Sequence, residues 1–314
     1  MLTDIFQWTI IISILAATIR IATPIVIAAM GELVTERSGV MNLGVEGMML
    51  MGAYVGFMVG NQTDSLFLAT LAAMLAGAGM ALIMAFMAVT LKVDQTVTGL
   101  ALNLLALGLS FYWYRVAYGS SGSASTPTTR IFDVLPIPLL SRIPFLGEIL
   151  FAQYLLTYIG LALVPLIWIF LYRTRYGLLV RCLGENPQAV DMKGYSVGRI
   201  QYLSVLFGGL MGGLGGSFLT LASAGVFVPE ISAGRGWLAI VLVIAGNWSP
   251  VRILWAALIF AFLDAFQLQM QGLGIKLPYQ IFLALPYLFA ILALILSHTR
   301  SQAPEALGKP YSRE

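Results

Sequence analysis

Residues 65–91 read SLFLATLAAMLAGAGMALIMAFMAVTL, a run of 27 residues without an Asp, Glu, Lys or Arg. A helix needs about 20 mostly apolar residues to cross the hydrocarbon core of a bilayer. The run therefore predicts a transmembrane helix, and comparable runs recur along the chain. The count is nine, or eight to ten because Arg20 interrupts the first run, at 5–30, 40–60, 65–91, 96–117, 152–172, 199–223, 234–247, 252–271 and 278–297.

The composition agrees with a polytopic membrane protein. Of 314 residues, 59% are hydrophobic and 10% are charged, whereas soluble domains carry about 25% charged residues. An ordinary soluble enzyme, a disordered chain and a nucleic-acid-binding domain are excluded, and a net charge of +3 is too small for a polyanion partner. The alternation of a transmembrane barrel is absent. We expect one all-α membrane domain, a helical bundle spanning residues 1–314.

The residues that carry most enzyme chemistry are scarce. Cys182 is the single cysteine and His298 the single histidine, so no disulfide, zinc cluster or histidine triad can form within the chain. No Gly-x-x-x-x-Gly-Lys-[Ser/Thr] phosphate loop is present. The sequence therefore predicts no catalytic residue, cofactor or metal. Uphill transport would need an ion gradient or an external ATPase.

The basic residues set the predicted orientation. Five of them fall in 173–199, and three lie in the tail after residue 297. Placing both segments in the cytoplasm gives eleven basic residues inside and four outside, as the positive-inside rule favours. The C-terminus is then cytoplasmic and, with nine spans, the N-terminus is outside. The segment 118–151 becomes the long external loop, and its apolar second half is expected to pack against the membrane surface.

An internal repeat links two parts of the chain. Residues 41–47 (MNLGVEG) and 231–236 (ISAGRG) each place a charge directly before a glycine and an apolar run. Each run reaches a Gly-Asn pair and then a lysine-led segment, at Lys92 and Lys276. The copies begin five spans apart, so they would cross in opposite directions. This predicts an inverted-topology repeat, with halves at roughly 5–117 and 199–297 and a site at their interface.

Charges inside apolar runs mark that candidate site. Because an unpaired charge in a membrane costs about 2.5–3.5 kcal/mol on insertion scales, such residues should face the bundle interior or water. A structural alternative is a Glu46–Arg235 ion pair that only holds the two halves together. The residues expected on the solute pathway are Asn42, Glu46, Gly47, Ser232, Arg235, Gly236 and Asp264.

The segment 173–198 is the most polar stretch. Asn186 followed by Pro187 predicts the start of a short helix, with Asn186 as its cap. Such a helix in a cytoplasmic loop could dock into a partner's groove. A solvated basic loop that serves only topology is the alternative interpretation.

Three motifs resemble one known family. Residues 31–54 (GELVTERSGVMNLGVEGMMLMGAY) are similar to the early motif of bacterial ABC importer permeases of the simple-sugar, nucleoside and basic-membrane-protein type. Residues 184–189 (GENPQA), followed by Gly194, resemble that family's ATPase-contacting loop. Residues 234–239 (GRGWLA) and 246–250 (GNWSP) resemble its late motif. The resemblance covers nearly the whole chain.

The resemblance implies a permease subunit in the bacterial plasma (inner) membrane. Its partners would be a second, related permease, a cytoplasmic ABC ATPase that uses ATP and Mg²⁺, and an extracytoplasmic substrate-binding protein. The implied ATPase-coupling residues are Gly177, Gly184, Glu185, Asn186, Pro187, Ala189 and Gly194.

The predicted solute is a nucleoside, because the glutamate-containing early motif is typical of that branch. A permease for simple sugars or another small solute is the first alternative. A stand-alone ion-coupled carrier is an alternative of another class, which the repeat alone would allow, and an intramembrane enzyme or assembly scaffold is a third.

Overall fold

The structure is a computed structural model, and it describes residues 8–119, 127–138, 140–272, 284, 288–292, 295 and 303–312. Within those residues, six helices are long and apolar enough to cross a membrane. Most of the predicted ninth span lies outside the described residues, as do Lys276 and His298. An all-α membrane protein is confirmed, apart from two strands of three residues each.

The helices and strands follow the apolar runs closely. In chain order they are α1 (Trp8–Arg37), α2 (Val45–Thr63), α3 (Leu66–Ala85), α4 (Gln95–Tyr118), β1 (Val134–Pro136), α5 (Leu146–Leu150), β2 (Ala152–Tyr154), α6 (Leu155–Arg173), α7 (Arg175–Glu185), α8 (Pro187–Met192), α9 (Val197–Phe218), α10 (Arg235–Ala245) and α11 (Pro250–Gly272). Single π-helical turns, Phe86–Thr90 and Leu219–Ala224, extend α3 and α9.

Helix α9 forms the centre of the bundle and packs against α1, α2 and α3. Its close contacts depend on small residues, which let helix backbones approach each other in a membrane. A Cβ added at Gly213 would collide with the backbone of Ala73 in α3, and one added at Gly52 of α2 would lie 2.5 Å from Gly213. No side chain fits at either glycine.

The contacts along α9 and α1 give the helix directions. Thr35 of α1 donates a hydrogen bond to the Ser204 carbonyl, whereas Pro24 of α1 lies beside Gly215, so α1 and α9 are antiparallel. Met48 of α2 lies beside Gly212, and Thr220 donates to the Ala53 carbonyl, so α2 runs in the same direction as α9. Helix α2 is therefore antiparallel to α1.

The prediction that the first span ends at residue 30 was wrong. Helix α1 continues to Arg37 because its last charged side chains find partners: Glu32 accepts from the Asn42 N–H, and Glu36 accepts from the Trp248 indole. Arg20, which was expected to interrupt the run, lies inside the continuous helix and donates to Gln153 at 3.0 Å.

The two predicted loops contain regular structure. In the segment 118–151, β1 pairs antiparallel with β2, and the Thr129 N–H donates to the Gly225 carbonyl just after α9. In 173–198 the short helix predicted after Asn186 is confirmed as α8, and Asn186 caps it by accepting from the Ala189 N–H at 3.0 Å. Helix α7, which precedes α8, was not predicted.

Candidate functional site

Helices α2 and α10 begin at one point, which we call the helix junction: Glu46, Gly47, Asn103, Gly234 and Gly236. The Glu46 carboxylate accepts from the Gly234 N–H at 2.9 Å through Oε1 and from the Gly236 N–H at 2.6 Å through Oε2. The first N–H groups of a helix have no partner within it, and the helix dipole favours a negative charge there. Glu46 therefore fills the anion site at the start of α10.

The start of α2 is held in the same region by Asn103 of α4. The Asn103 amide oxygen accepts from the Gly47 N–H, and its NH₂ group donates to the Leu43 carbonyl, both at 2.8 Å. Asn103 lies eight residues after Gln95, the first residue of α4, which is about 12 Å at 1.5 Å per residue. The junction therefore lies about a third of the way along α4, which is one of the helices long and apolar enough to cross a membrane. The sequence signal for Asn103 was an amide inside an apolar run.

The two predicted glycines of the junction are explained by close packing. A Cβ added at Gly236 would lie 2.5 Å from the Glu46 N and Cα atoms, and one added at Gly47 would lie 3.0 Å from the Leu102 carbonyl oxygen. Their role in this structure is to let the backbone of one helix approach the next. Neither glycine lines an open space.

Arg235 does not pair with Glu46. No ion pair joins these two described side chains; Arg235 Nη1 instead donates to the carbonyls of Ile231 at 3.4 Å and Ser232 at 3.3 Å. The alternative interpretation, in which a Glu46–Arg235 ion pair holds the two halves together, is therefore wrong. The Glu46 oxygens instead accept from the Gly234 and Gly236 N–H groups.

Asn42 is fully buried and forms the turn before α2. Its side-chain oxygen accepts from the Gly44 N–H at 3.1 Å, and its own N–H donates to Glu32 at 3.2 Å. Ser232 is also buried. Both side chains are enclosed by protein, and their place on the solute pathway stays a prediction.

Arg235 and Asp264 share a cavity of about 460 Å³, which we call the Asp264 cavity. Trp237 and Phe260 also line it, as does Ile25 of α1. Cavities of about 300–1,000 Å³ with apolar walls and a few polar groups suit small ligands. Of the predicted pathway residues, the structure brings Arg235 and Asp264 together on one open space and places Glu46 beside it.

The predicted coupling residues lie on α7, α8 and the turns beside them. Gly177 and Gly184 both face neighbouring backbone: an added Cβ would collide with the Phe170 carbonyl at Gly177 and with the Arg37 carbonyl at Gly184. Gly194 ends the segment with φ +83°, a conformation that favours glycine. Glu185 is exposed, and it forms an ion pair with Arg37 at 3.8 Å.

Sequence reasoning missed the residues that contact this segment. The carboxyl end of α1 touches it through Arg37, and the chain returns to it after residue 303. The Ala306 N–H donates to the Gly184 carbonyl at 2.8 Å, and the Gly308 N–H donates to the Gly39 carbonyl at 3.1 Å. The Tyr311 hydroxyl donates to Asp191 of α8 at 2.9 Å. The tail therefore packs on the coupling residues.

Comparison with known proteins gives the class of the molecule. Residues 14–297 match the family described as the permease component of branched-chain amino acid transport systems. The chain belongs to this permease family. It is a multi-pass membrane protein of the ABC transporter permease class, and it is not itself an enzyme.

The most similar relatives include three full-length matches. The chain is 35% identical to TsgC13 of Haloferax volcanii, named as a candidate glucose ABC transporter permease, over 96% of this chain and 98% of that protein. It is 36% identical to the guanosine permease NupQ of Bacillus subtilis and 32% identical to the nucleoside permease NupC of Lactococcus lactis, each over 95% of this chain and 96% of the relative. No solved structure matches the chain.

Bacillus subtilis also has a second, more distant match, the guanosine permease NupP, which is 25% identical over 76% of this chain. Bacillus subtilis therefore has two permeases, NupQ and NupP, that are named for guanosine and differ in their similarity to this chain.

Proposed function

We propose that this chain forms part of the pathway of an ATP-driven nucleoside importer in the bacterial plasma membrane. The observation that carries the proposal is the helix junction, where two helices begin part-way along α4, beside the Asp264 cavity. Discontinuous helices that end near the midplane are a recurring way to build solute sites in transporters. The family membership supports the transport class independently.

The proposed architecture has nine spans and an inverted repeat. Helix α10 starts beside Ile21 and Ile25 of α1 and is followed by Trp248, which contacts Glu36 and Arg37, so α10 is parallel to α1. Since α2 is antiparallel to α1, the two junction helices leave Glu46 in opposite directions. That arrangement supports repeat halves of 5–117 and 199–297.

The proposed solute contacts are in the Asp264 cavity. Trp237, which is 37% exposed, offers an aromatic face on which a nucleobase can stack. Asp264 can accept hydrogen bonds from ribose hydroxyls, and Arg235 can donate to base or sugar oxygens. Glu46, Gly47, Gly236, Asn42 and Ser232 then shape the pathway without touching solute. The names of NupQ and NupC support nucleosides, and that of TsgC13 supports the sugar alternative.

The proposed partners follow from residues 173–198, which we call the coupling segment, and from the relatives. Helices α7 and α8 would meet a cytoplasmic ABC ATPase that binds ATP and Mg²⁺, while this chain binds no cofactor. The pair NupQ and NupP supports a second, related permease beside this chain. An extracytoplasmic binding protein would deliver the solute. The tail contacts α8, so the C-terminus would be cytoplasmic as well.

An uptake experiment tests this function. Cells lacking the chain, and the same cells with it restored, are given radiolabelled guanosine or glucose. We expect restored guanosine uptake that unlabelled adenosine suppresses and glucose does not. Uptake of glucose alone would replace the nucleoside by the sugar alternative, which the name of TsgC13 favours. Uptake that persists when the ATPase is inactivated, and follows an ion gradient, would instead indicate a stand-alone carrier.

A further inference from the structure

We propose that the last turn of α1, residues Glu36 and Arg37, connects the coupling segment to both junction helices. Arg37 and Trp248 are positioning residues in this connection. The inference rests on the proposed docking of an ATPase at α7 and α8. It adds a route by which motion of these helices reaches the helix junction.

The first contact of this route is between α1 and α7. The Gly184 Cα faces the Arg37 carbonyl so closely that no Cβ fits between them. The Arg37 guanidinium also pairs with Glu185 at 3.8 Å. Because the backbones touch directly, a shift of α7 against α1 must move the end of α1 or break the contact.

The second contact is between α1 and the turn after α10. Glu36 accepts the Trp248 indole N–H, and Arg37 Nη2 donates to the Trp248 carbonyl at 3.1 Å. Trp248 is only 2% exposed, so its N–H needs this partner. Asn247 and Trp248 both have φ +50°, a conformation that residues with a Cβ adopt only when their surroundings hold it. The hydrogen bonds of Trp248 with Glu36 and Arg37 stabilise this conformation.

The third contact is between α1 and the turn before α2. Residues 38–44 join the two helices directly, and Glu32 accepts from the Asn42 N–H within this connection. The tail reinforces it, since Gly308 donates to the Gly39 carbonyl while Ala306 donates to Gly184. One short stretch of α1 is therefore tied to the coupling segment, to the start of α2 and to the end of α10.

Helix α10 completes the route. Its 11 residues form a rod of about 16 Å at 1.5 Å per residue. Trp248 follows one end of this rod, and Glu46 binds the other end. A displacement of Trp248 by α1 thus tilts α10 about its start at the helix junction and moves Trp237, which lines the Asp264 cavity, without any change in α10 itself.

The test uses the complete importer in liposomes and measures ATP hydrolysed per guanosine taken up. Trp248→Phe removes the indole N–H and retains an aromatic ring, and Arg37→Gln removes the guanidinium. Each variant is expected to raise this ratio about tenfold, within the usual range of coupling between sites. Glu36→Gln should stay near the unmodified ratio, because its amide oxygen can still accept from Trp248, whereas Glu36→Leu should not.

Matched controls are Trp255→Phe and Arg252→Gln, which change exposed residues of α11. Both are expected to retain the unmodified ratio. The double variant Arg37→Gln/Trp248→Phe should equal the more severe single variant, since both interrupt one connection, whereas independent effects would add.

Three outcomes overturn the inference. The first is an unchanged ATP-to-guanosine ratio in Trp248→Phe and Arg37→Gln. The others are increases of this ratio that add in the double variant, or equal increases in the controls. If Trp248→Phe does not assemble, Arg37→Gln alone decides. An unmodified complex that takes up guanosine without consuming ATP would instead contradict the proposed function.

Discussion

The two ends of α10 are held in different ways. Its amino end is held by one carboxylate, Glu46, which accepts two backbone N–H groups. Beyond its carboxyl end, Trp248 is held by two side chains of α1, of which Arg37 also reaches the exposed Glu185. The contacts of Glu46 stay within the bundle. Those of Trp248 extend through Arg37 to the exposed Glu185.

The difference indicates which end of α10 is fixed and which can be moved. Releasing Glu46 would leave two N–H groups at the start of α10 without their acceptor, which is costly. The contacts of Trp248 are buried, but they include Arg37, which also pairs with the exposed Glu185, so a movement of α7 can act on them. Movement that starts at α7 would therefore reach α10 through Trp248, with Glu46 as its fixed point.

The largest effect is expected at the fixed end. Glu46→Leu leaves the Gly234 and Gly236 N–H groups without their acceptor, which at about 1–3 kcal/mol for each unpaired group lowers the free energy of unfolding by about 2–6 kcal/mol. Thermal unfolding of the purified complex in detergent measures this loss. Glu46→Gln, which retains one acceptor oxygen, should lose less. Equal stability of Glu46→Leu and the unmodified complex would show that the carboxylate does not hold α10.

The next largest effect is expected at the movable end. Gly184→Leu forces a side chain between α7 and the Arg37 carbonyl, so the contact must open. ATP hydrolysis should continue while guanosine uptake falls about tenfold, as expected for a lost coupling between sites. Gly198→Ala is the control, because its added Cβ meets its nearest neighbour at an ordinary 3.7 Å. Transport by Gly184→Leu at the unmodified rate would remove the coupling assignment of this glycine.

Local patterns predicted much of this arrangement. The spans followed from apolar length, and Asn186 before Pro187 predicted the start of α8. Glu46 was singled out as a charge within an apolar run, although its partners were not. The last turn of α1 was missed, because Glu36 and Trp248 are 212 residues apart. Two polar residues that become hydrogen-bond partners only after folding leave no pattern of spacing in the sequence.

A moderate effect is expected beside the fixed end, in the Asp264 cavity. Asp264→Asn removes a charge and one strong acceptor, so the KM for guanosine should rise about fivefold, the equivalent of about one hydrogen bond. The kcat should change less. Asp133→Asn, at an exposed position of the segment 118–151, is the control. An unchanged KM would mean that solute does not contact Asp264, and the cavity would lose its assignment as a solute site.

The smallest effect compares two helix caps in different parts of the chain, each of which accepts one backbone N–H group through its side chain. Asn186 accepts from the Ala189 N–H at 3.0 Å at the start of α8, and Asp94 accepts from the Val97 N–H at 2.9 Å at the start of α4. Replacing either cap by Ala should cost about 1 kcal/mol of stability. Only Asn186→Ala loosens a helix of the coupling segment, so only this variant should raise the ATP consumed per guanosine. We expect a rise of about twofold at most, because part of the lost free energy lowers stability and only the rest affects coupling. Because the two variants lose the same kind of hydrogen bond, equal ratios would show that the order of α8 is not needed for coupling. A raised ratio in Asp94→Ala alone would move the coupling surface to the turn before α4.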